Sequence, residues 1–113
     1  MQITDEMIER FKASFPGSVS GKDLKGSFHF LPKVSVTTTL GEKVVDLLFC
    51  PEGRDGYPSR LFFSENLPTK DPTRNWNGRE RIMDRNWHAM SWKIENPPPT
   101  LEALLSDHLR ALL

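Results

Sequence analysis

Apolar positions along the chain change period from one stretch to the next, and each change marks an element. In residues 4–15, Met7, Ile8, Phe11 and Phe15 recur at helical spacing and define one apolar face. Thr4 is placed to cap this helix, and Asp5 and Glu6 fall in its first turn, where negative charge suits the helix dipole. Pro16-Gly17 ends it, and a glycine- and serine-rich link is expected through Gly26. From there the period drops to two. Phe28 and Phe30, then Val34, Val36 and Thr38, alternate around Pro32, predicting one long bent strand or two short ones over residues 27–39. A proline inside a strand requires an edge position or a bulge. Leu40-Gly41-Glu42 reads as a turn. Residues 43–50 form a strand that after Lys43 is apolar except for Asp46, residues 52–56 a loop, and residues 60–64 the next strand. The short turns predict an antiparallel meander.

Periodicity then fades. Residues 65–98 carry turn signals at Pro68, Pro72 and Asn75-Trp76-Asn77-Gly78. They also carry Trp76, Ile82, Met83, Trp87, Met90 and Trp92, too much apolar surface to leave in water. The expectation is a long, ordered, aromatic loop, a kind of segment that usually carries function. After Pro97-Pro98-Pro99, the residues Leu101, Leu104, Leu105, Leu109 and Leu112 mark a C-terminal amphipathic helix starting at Pro99 or Thr100. The predicted fold is α+β: an N-terminal helix, an antiparallel meander of three to four strands, the aromatic loop and a C-terminal helix. A chain of 113 residues suits one domain over residues 1–113.

Composition narrows the function. Fifteen Lys and Arg balance 15 Asp and Glu, so neither nucleic acid nor an anionic membrane is an expected partner. No apolar run approaches the ~20 residues that span a bilayer, and the acidic N-terminus lacks the pattern of a signal peptide. The single cysteine, Cys50, cannot form an internal disulfide, which points to the cytosol.

Cys50 is also the first candidate for chemistry. As a nucleophile it needs partial exposure, which its place at a strand end before a loop allows, and a positive partner to lower its pKa, for which Arg54 or a histidine is a candidate. The competing reading is a small buried apolar residue. His88, beside Trp87, is a candidate acid or base. His108 borders the apolar stripe of the last helix, where a packed, hydrogen-bonded histidine is the plainer reading. Cys50, His88 and His108 contain no short-spaced ligand pair, so no metal is expected, and no cofactor either. Ser91 is a further hydroxyl nucleophile to consider. Arg74, Arg79, Arg81 and Arg85 read either as a solvated face or as a docking patch for an acidic partner.

The strand leading into Tyr57-Pro58, the Asn77-Gly78 pair, the Trp87/Trp92 region and the leucine helix after the prolines occur in an order that resembles the ubiquitin-conjugating-enzyme-like (UBC-like) family, over about residues 5–113. The likeness is greatest to its compact prokaryotic members. The resemblance implies a bacterial pathway with a ubiquitin-like protein and a ThiF-like activating enzyme as partners, often with a JAB-type peptidase. It implies a cysteine that accepts the modifier's C-terminus as a thioester and passes it to an amine. It also implies a catalytic set drawn from Cys50, Glu52 or Glu80, His88 and His108. Asn75 and Asn77 would then stand near the oxyanion, and Tyr57-Pro58 would be an architectural motif. The chain departs from the family where the nucleophile usually follows the Asn-Gly region, because Arg81-Ile82-Met83-Asp84 holds no cysteine. The resemblance therefore also implies a second role, an inactive UBC/RWD-like adaptor that binds the modifier or its activating enzyme.

Overall fold

The computed structural model describes residues 2–69, 71 and 75–113. Its elements are α1 (Asp5–Lys12), β1 (Val19–Asp23), β2 (Gly26–Thr38), β3 (Gly41–Cys50), β4 (Arg60–Phe63), β5 (Gly78–Ile82), β6 (Arg85–Ala89) and α2 (Leu101–Leu109), which runs into a short 3-10 turn, Arg110–Leu112. The six strands form one antiparallel, curled sheet in the order β1-β2-β3-β4-β6-β5. The α+β class and both helices agree with the sequence. Two expectations need correction. The glycine-serine link contains β1, and the aromatic loop contains the β5–β6 hairpin, so the sheet has six strands rather than three or four. No helix among the described residues is long and apolar enough to cross a membrane.

Both helices start as their sequences dictate. The Thr4 hydroxyl accepts from the Met7 amide at 3.2 Å, and that of Thr100 from the Ala103 amide at 3.1 Å. The proline in β2 makes a bulge. Leu31 pairs with Leu47 and Val34 with Val45, so Pro32 and Lys33 stand opposite Asp46 alone. Lys33 takes φ 51, and its amide donates to Asp46 Oδ1 at 2.8 Å. Asp46 is the one polar residue in the apolar run from Val44 to Cys50, and it satisfies this bulge. Its other carboxylate oxygen receives Arg85 Nη1 at 2.9 Å.

Alternation sends side chains to two buried faces. Leu47, Phe49, Leu61 and Phe63 face the helices, where Phe11, Leu101, Leu104 and Leu105 complete the main core. Phe28, Leu48, Cys50, Phe62, Ile82, Trp87 and Ala89 point the other way and form a second core. No helix contributes to that cluster. The sheet curls around it instead, and Trp87 is held there by donating Nε1–H to the Ile82 carbonyl at 3.0 Å.

Charged groups at one end of the curl tie its two edge strands together. Asp23 ends β1 and Glu80 lies in β5, at opposite edges of the sheet. Arg54, in the loop after β3, reaches both: its Nη1 and Nη2 bind the Asp23 carboxylate at 3.0 and 2.6 Å, and its Nε binds Glu80 Oε1 at 3.4 Å. Lys25 Nζ adds contacts to Glu80 at 2.7 Å and Asp55 at 3.1 Å. Arg60 packs where β5 begins, and a Cβ at Gly78 would run into its guanidinium. This close approach is what the glycine of the Asn77-Gly78 pair permits. Gly78→Ala is therefore expected to lower stability by about 1–3 kcal/mol through overpacking, read as a lower urea midpoint with unchanged slope. An unchanged midpoint would show that the Arg60 contact does not constrain the fold.

Candidate functional site

Cys50 pairs with Arg60 across β3 and β4, and strand alternation turns its thiol into the second core. It is 0 % exposed, so the strand end does not give it the exposure that the nucleophile reading needs. Burial pushes the thiol up to about 12. The nearby positive charge of Arg54 favours the thiolate, but Asp23, Glu80 and Asp55 oppose it.

The proposed partners of Cys50 divide between the two faces. Glu80 pairs with Trp87 and shares the cysteine's face, where it is bonded to Lys25 and Arg54. His88 lies in β6 rather than in a loop and pairs with Phe63, so it shares the face that Phe63 turns to the main core. His108 lies in α2 on that same side and packs edge-on against Phe49, with ring centroids 6.2 Å apart. The sheet backbone thus stands between Cys50 and both histidines. Glu52 is exposed on the turn after β3. No three described His, Cys, Asp or Glu residues are grouped to hold a metal ion.

His108 has a different partner, one that the sequence did not signal. Its Nε2 lies 2.8 Å from the Ser59 hydroxyl, 49 residues away. Both residues are buried, and His108 is 4 % exposed. Burial pulls the imidazole down to about 4, a pull that Asp107 partly offsets, so the ring is neutral at pH 7. His29 is similar. Its Nδ1 meets Ser20 Oγ at 2.8 Å, its Nε2 has no hydrogen-bond partner, and burial lowers its pKa.

The polar residues around Tyr57 do converge. A turn with Asp55 at φ 54 and Gly56 at φ 84 is closed by Arg54 N–H to the Tyr57 carbonyl at 3.1 Å and Tyr57 N–H to the Arg54 carbonyl at 3.0 Å. An Asp-Gly pair suits two such left-handed positions. The Arg60 guanidinium then stacks on the Tyr57 ring at 4.1 Å. It also binds Asp55 Oδ2 at 3.4 Å and Asn77 Oδ1 at 3.3 Å. The Tyr57 hydroxyl reaches Ser91 Oγ at 3.3 Å. Hydrogen bonding with Ser91 outweighs partial burial and, with smaller contributions from Asn77 and the charges of Arg60 and Lys93, lowers the Tyr57 pKa. Tyr57 is therefore architectural at its ring and polar at its tip. Asn77 takes part in this cluster, whereas Asn75 serves through its backbone, its carbonyl accepting from the Ser91 amide at 2.7 Å. Pro58 carries the chain from the turn to Ser59 and β4.

The arginine group is split. Arg85 stacks on Trp87 at 4.7 Å, on the second core. Arg79 and Arg81 are exposed on the other face of the hairpin, where Arg81 binds Asn86 at 3.1 Å. Arg74 lies outside the described residues.

No protein-family model matches the chain, and no curated protein or solved structure matches it.

Two measurements check this geometry. At pH 8, a thiol near 12 leaves about one part in ten thousand as thiolate. The native chain should leave Cys50 unlabelled by a thiol reagent until urea unfolds it, and fast native labelling would contradict its burial. His108 makes stability depend on pH. A base whose folded pKa is about 4, below its ordinary 6.5, gives full stability above pH 6.5 and loses it as pH falls toward 4, because the unfolded chain binds the proton first. The loss amounts to about 3 kcal/mol. His108→Gln should flatten that part of the urea-midpoint profile, and an unchanged slope would assign it to other groups.

Proposed function

We propose that the chain is a non-catalytic docking module with a UBC/RWD-like arrangement, which binds a ubiquitin-like protein or its ThiF-like activating enzyme in a bacterial modification pathway. The carrying observation is the position of Cys50: fully buried, with its pKa raised to about 12, and on the opposite face of the sheet from His88 and His108. A thioester carrier needs a thiol that a protein C-terminus can reach. The family reading is supported by a leading helix, antiparallel strands, Tyr57-Pro58 ahead of β4, Asn77-Gly78 opening β5, and a leucine helix after the prolines. Docking also has polar surface to use, in Arg79 and Arg81 on the exposed hairpin face and in the cluster around Tyr57.

Thioester transfer by Cys50 is the second reading. One observation favours it, the Arg54 charge beside the thiol. It requires the contacts from Arg54 to Asp23 and Glu80 to open first.

The two readings separate when the chain is incubated with a ubiquitin-like protein, its ThiF-like enzyme and ATP. The expected result is a non-covalent complex in size-exclusion chromatography and no reductant-labile adduct on a denaturing gel. An adduct lost in Cys50→Ser would overturn the docking reading in favour of transfer. Absence of both complex and adduct, with a control conjugating enzyme charged in parallel, would sink both.

A further inference from the structure

We propose that the open pocket beside the Tyr57 hydroxyl is a binding site for a monocarboxylate. The inference goes beyond the docking reading and does not depend on it. The pocket has a volume of about 270 Å³ and is lined by Gly56, Tyr57, Ser91 and Lys93. None of these is acidic. Its floor places two hydroxyls side by side, Tyr57 Oη and Ser91 Oγ, 3.3 Å apart. That spacing suits one donor to each oxygen of a single carboxylate.

Residues behind the pocket hold the phenol in place. The Arg60 guanidinium stacks on the Tyr57 ring at 4.1 Å, and its Nη2 donates to Asn77 Oδ1 at 3.3 Å. Tyr57 Oη and Ser91 Oγ each carry one O–H; one of the two donates to the other in the free protein, and a bound carboxylate takes both.

The charge on the site matches one negative group. Arg60 is answered by Asp55 at 3.4 Å. Lys93 stands half exposed at the rim, and its one ion pair among the described residues is a long surface contact of 3.8 Å to Glu95, of the kind worth little in water. One cation and two hydroxyl donors suit a carboxylate. A phosphate monoester carries about −1.5 to −2 and calls for more positive charge. The entrance is open at Gly56, where a Cβ would meet nothing within 4 Å. Since ligand pockets for drug-sized molecules run from about 300 Å³ upward, this one holds a carboxylate on a short chain. The source is a free small acid or the end of a polypeptide, and both present the same group.

The test is an NMR titration of the ¹⁵N-labelled full chain with sodium propionate, with N-acetylglycine, and with N-acetylglycinamide as the uncharged control. Saturable shifts of the Gly56, Ser91 and Lys93 amides are expected with a carboxylate and not with the amide. Apparent affinity should fall at least tenfold in Lys93→Gln, an exposed position where folding is safe, and severalfold in Tyr57→Phe. Saturation by propionate identifies a free acid as sufficient, and saturation by N-acetylglycine alone identifies a chain end. An equal response to the amide, shifts that never saturate, titrations unchanged in both variants, or tighter binding of inorganic phosphate would each overturn the proposal. If the pocket binds neither acid while the chain still forms a complex with a ubiquitin-like protein, only this inference fails. If the acids bind and no complex forms, the docking reading fails and the site stands.

Discussion

The guanidinium of Arg54 is where the two edges of the sheet meet, and the second half of the structure depends on that meeting. A six-stranded antiparallel sheet with both helices on one face would leave the other face to solvent. Here that face carries Phe28, Leu48, Phe62 and Trp87, a load no water-facing sheet bears. The solution is curvature. Asp23 at the end of one edge strand and Glu80 in the other both bind Arg54, whose side chain is 1 % exposed, while Lys25 joins Glu80 to Asp55. Buried ion pairs of this kind add little net stability against an apolar alternative, because desolvation takes back most of the Coulomb gain. What they supply is register. Removing one partner strands the rest, so the curl has one arrangement in which its charges are satisfied.

That closure decides the chemistry of Cys50. The thiol sits just inside the charged end of the curl, where Arg54 favours the thiolate, three carboxylates oppose it, and two of these, Asp23 and Glu80, bind the arginine itself. An arginine that is already neutralised cannot serve as the partner of a thiolate. The same contacts that give the second core its shape therefore keep the sulfur protonated and covered. The raised pKa of Cys50 thus reflects its burial together with this network of charges.

Much of the fold could be read from residue order because it depends on short-range chemistry. Thr4 and Thr100 cap helices through their own third-following amides, and Pro32 cannot donate to the strand ladder, so a strand that is not at an edge bulges there. The elements that were missed lack such local marks. β1 has no apolar alternation because it is an edge strand largely open on both sides, and its Gly21 leaves space taken by the ring of Phe28. β5 reads Gly-Arg-Glu-Arg-Ile, and the turn to β6 puts Met83 and Asp84 both at φ 57, a conformation for which methionine gives no signal. The candidate site was harder still. Whether Cys50 meets His88 depends on which face each strand position takes, and both faces of this sheet are buried, so hydrophobicity does not distinguish them. The Ser59–His108 pair spans 49 residues and has no sequence signature at all.

The segment between β3 and β4 carries both outcomes within eight residues. It leaves the sheet at Cys50 inside the second core, turns at Asp55-Gly56, and returns at Tyr57 with a hydroxyl at the surface. Arg60 joins the two ends: Cys50 is its partner in the strand pairing, and Tyr57 is the ring beneath its guanidinium. Asp55 anchors that guanidinium and also receives Lys25, so the charges that close the curl are continuous with the Arg60 charge that binds Asn77 Oδ1 and stacks on Tyr57. The order of the Tyr57 cluster is thus a consequence of closing the sheet. A structure that buries its only thiol by this means arranges, with the same residues, a set of polar donors at the surface next to it.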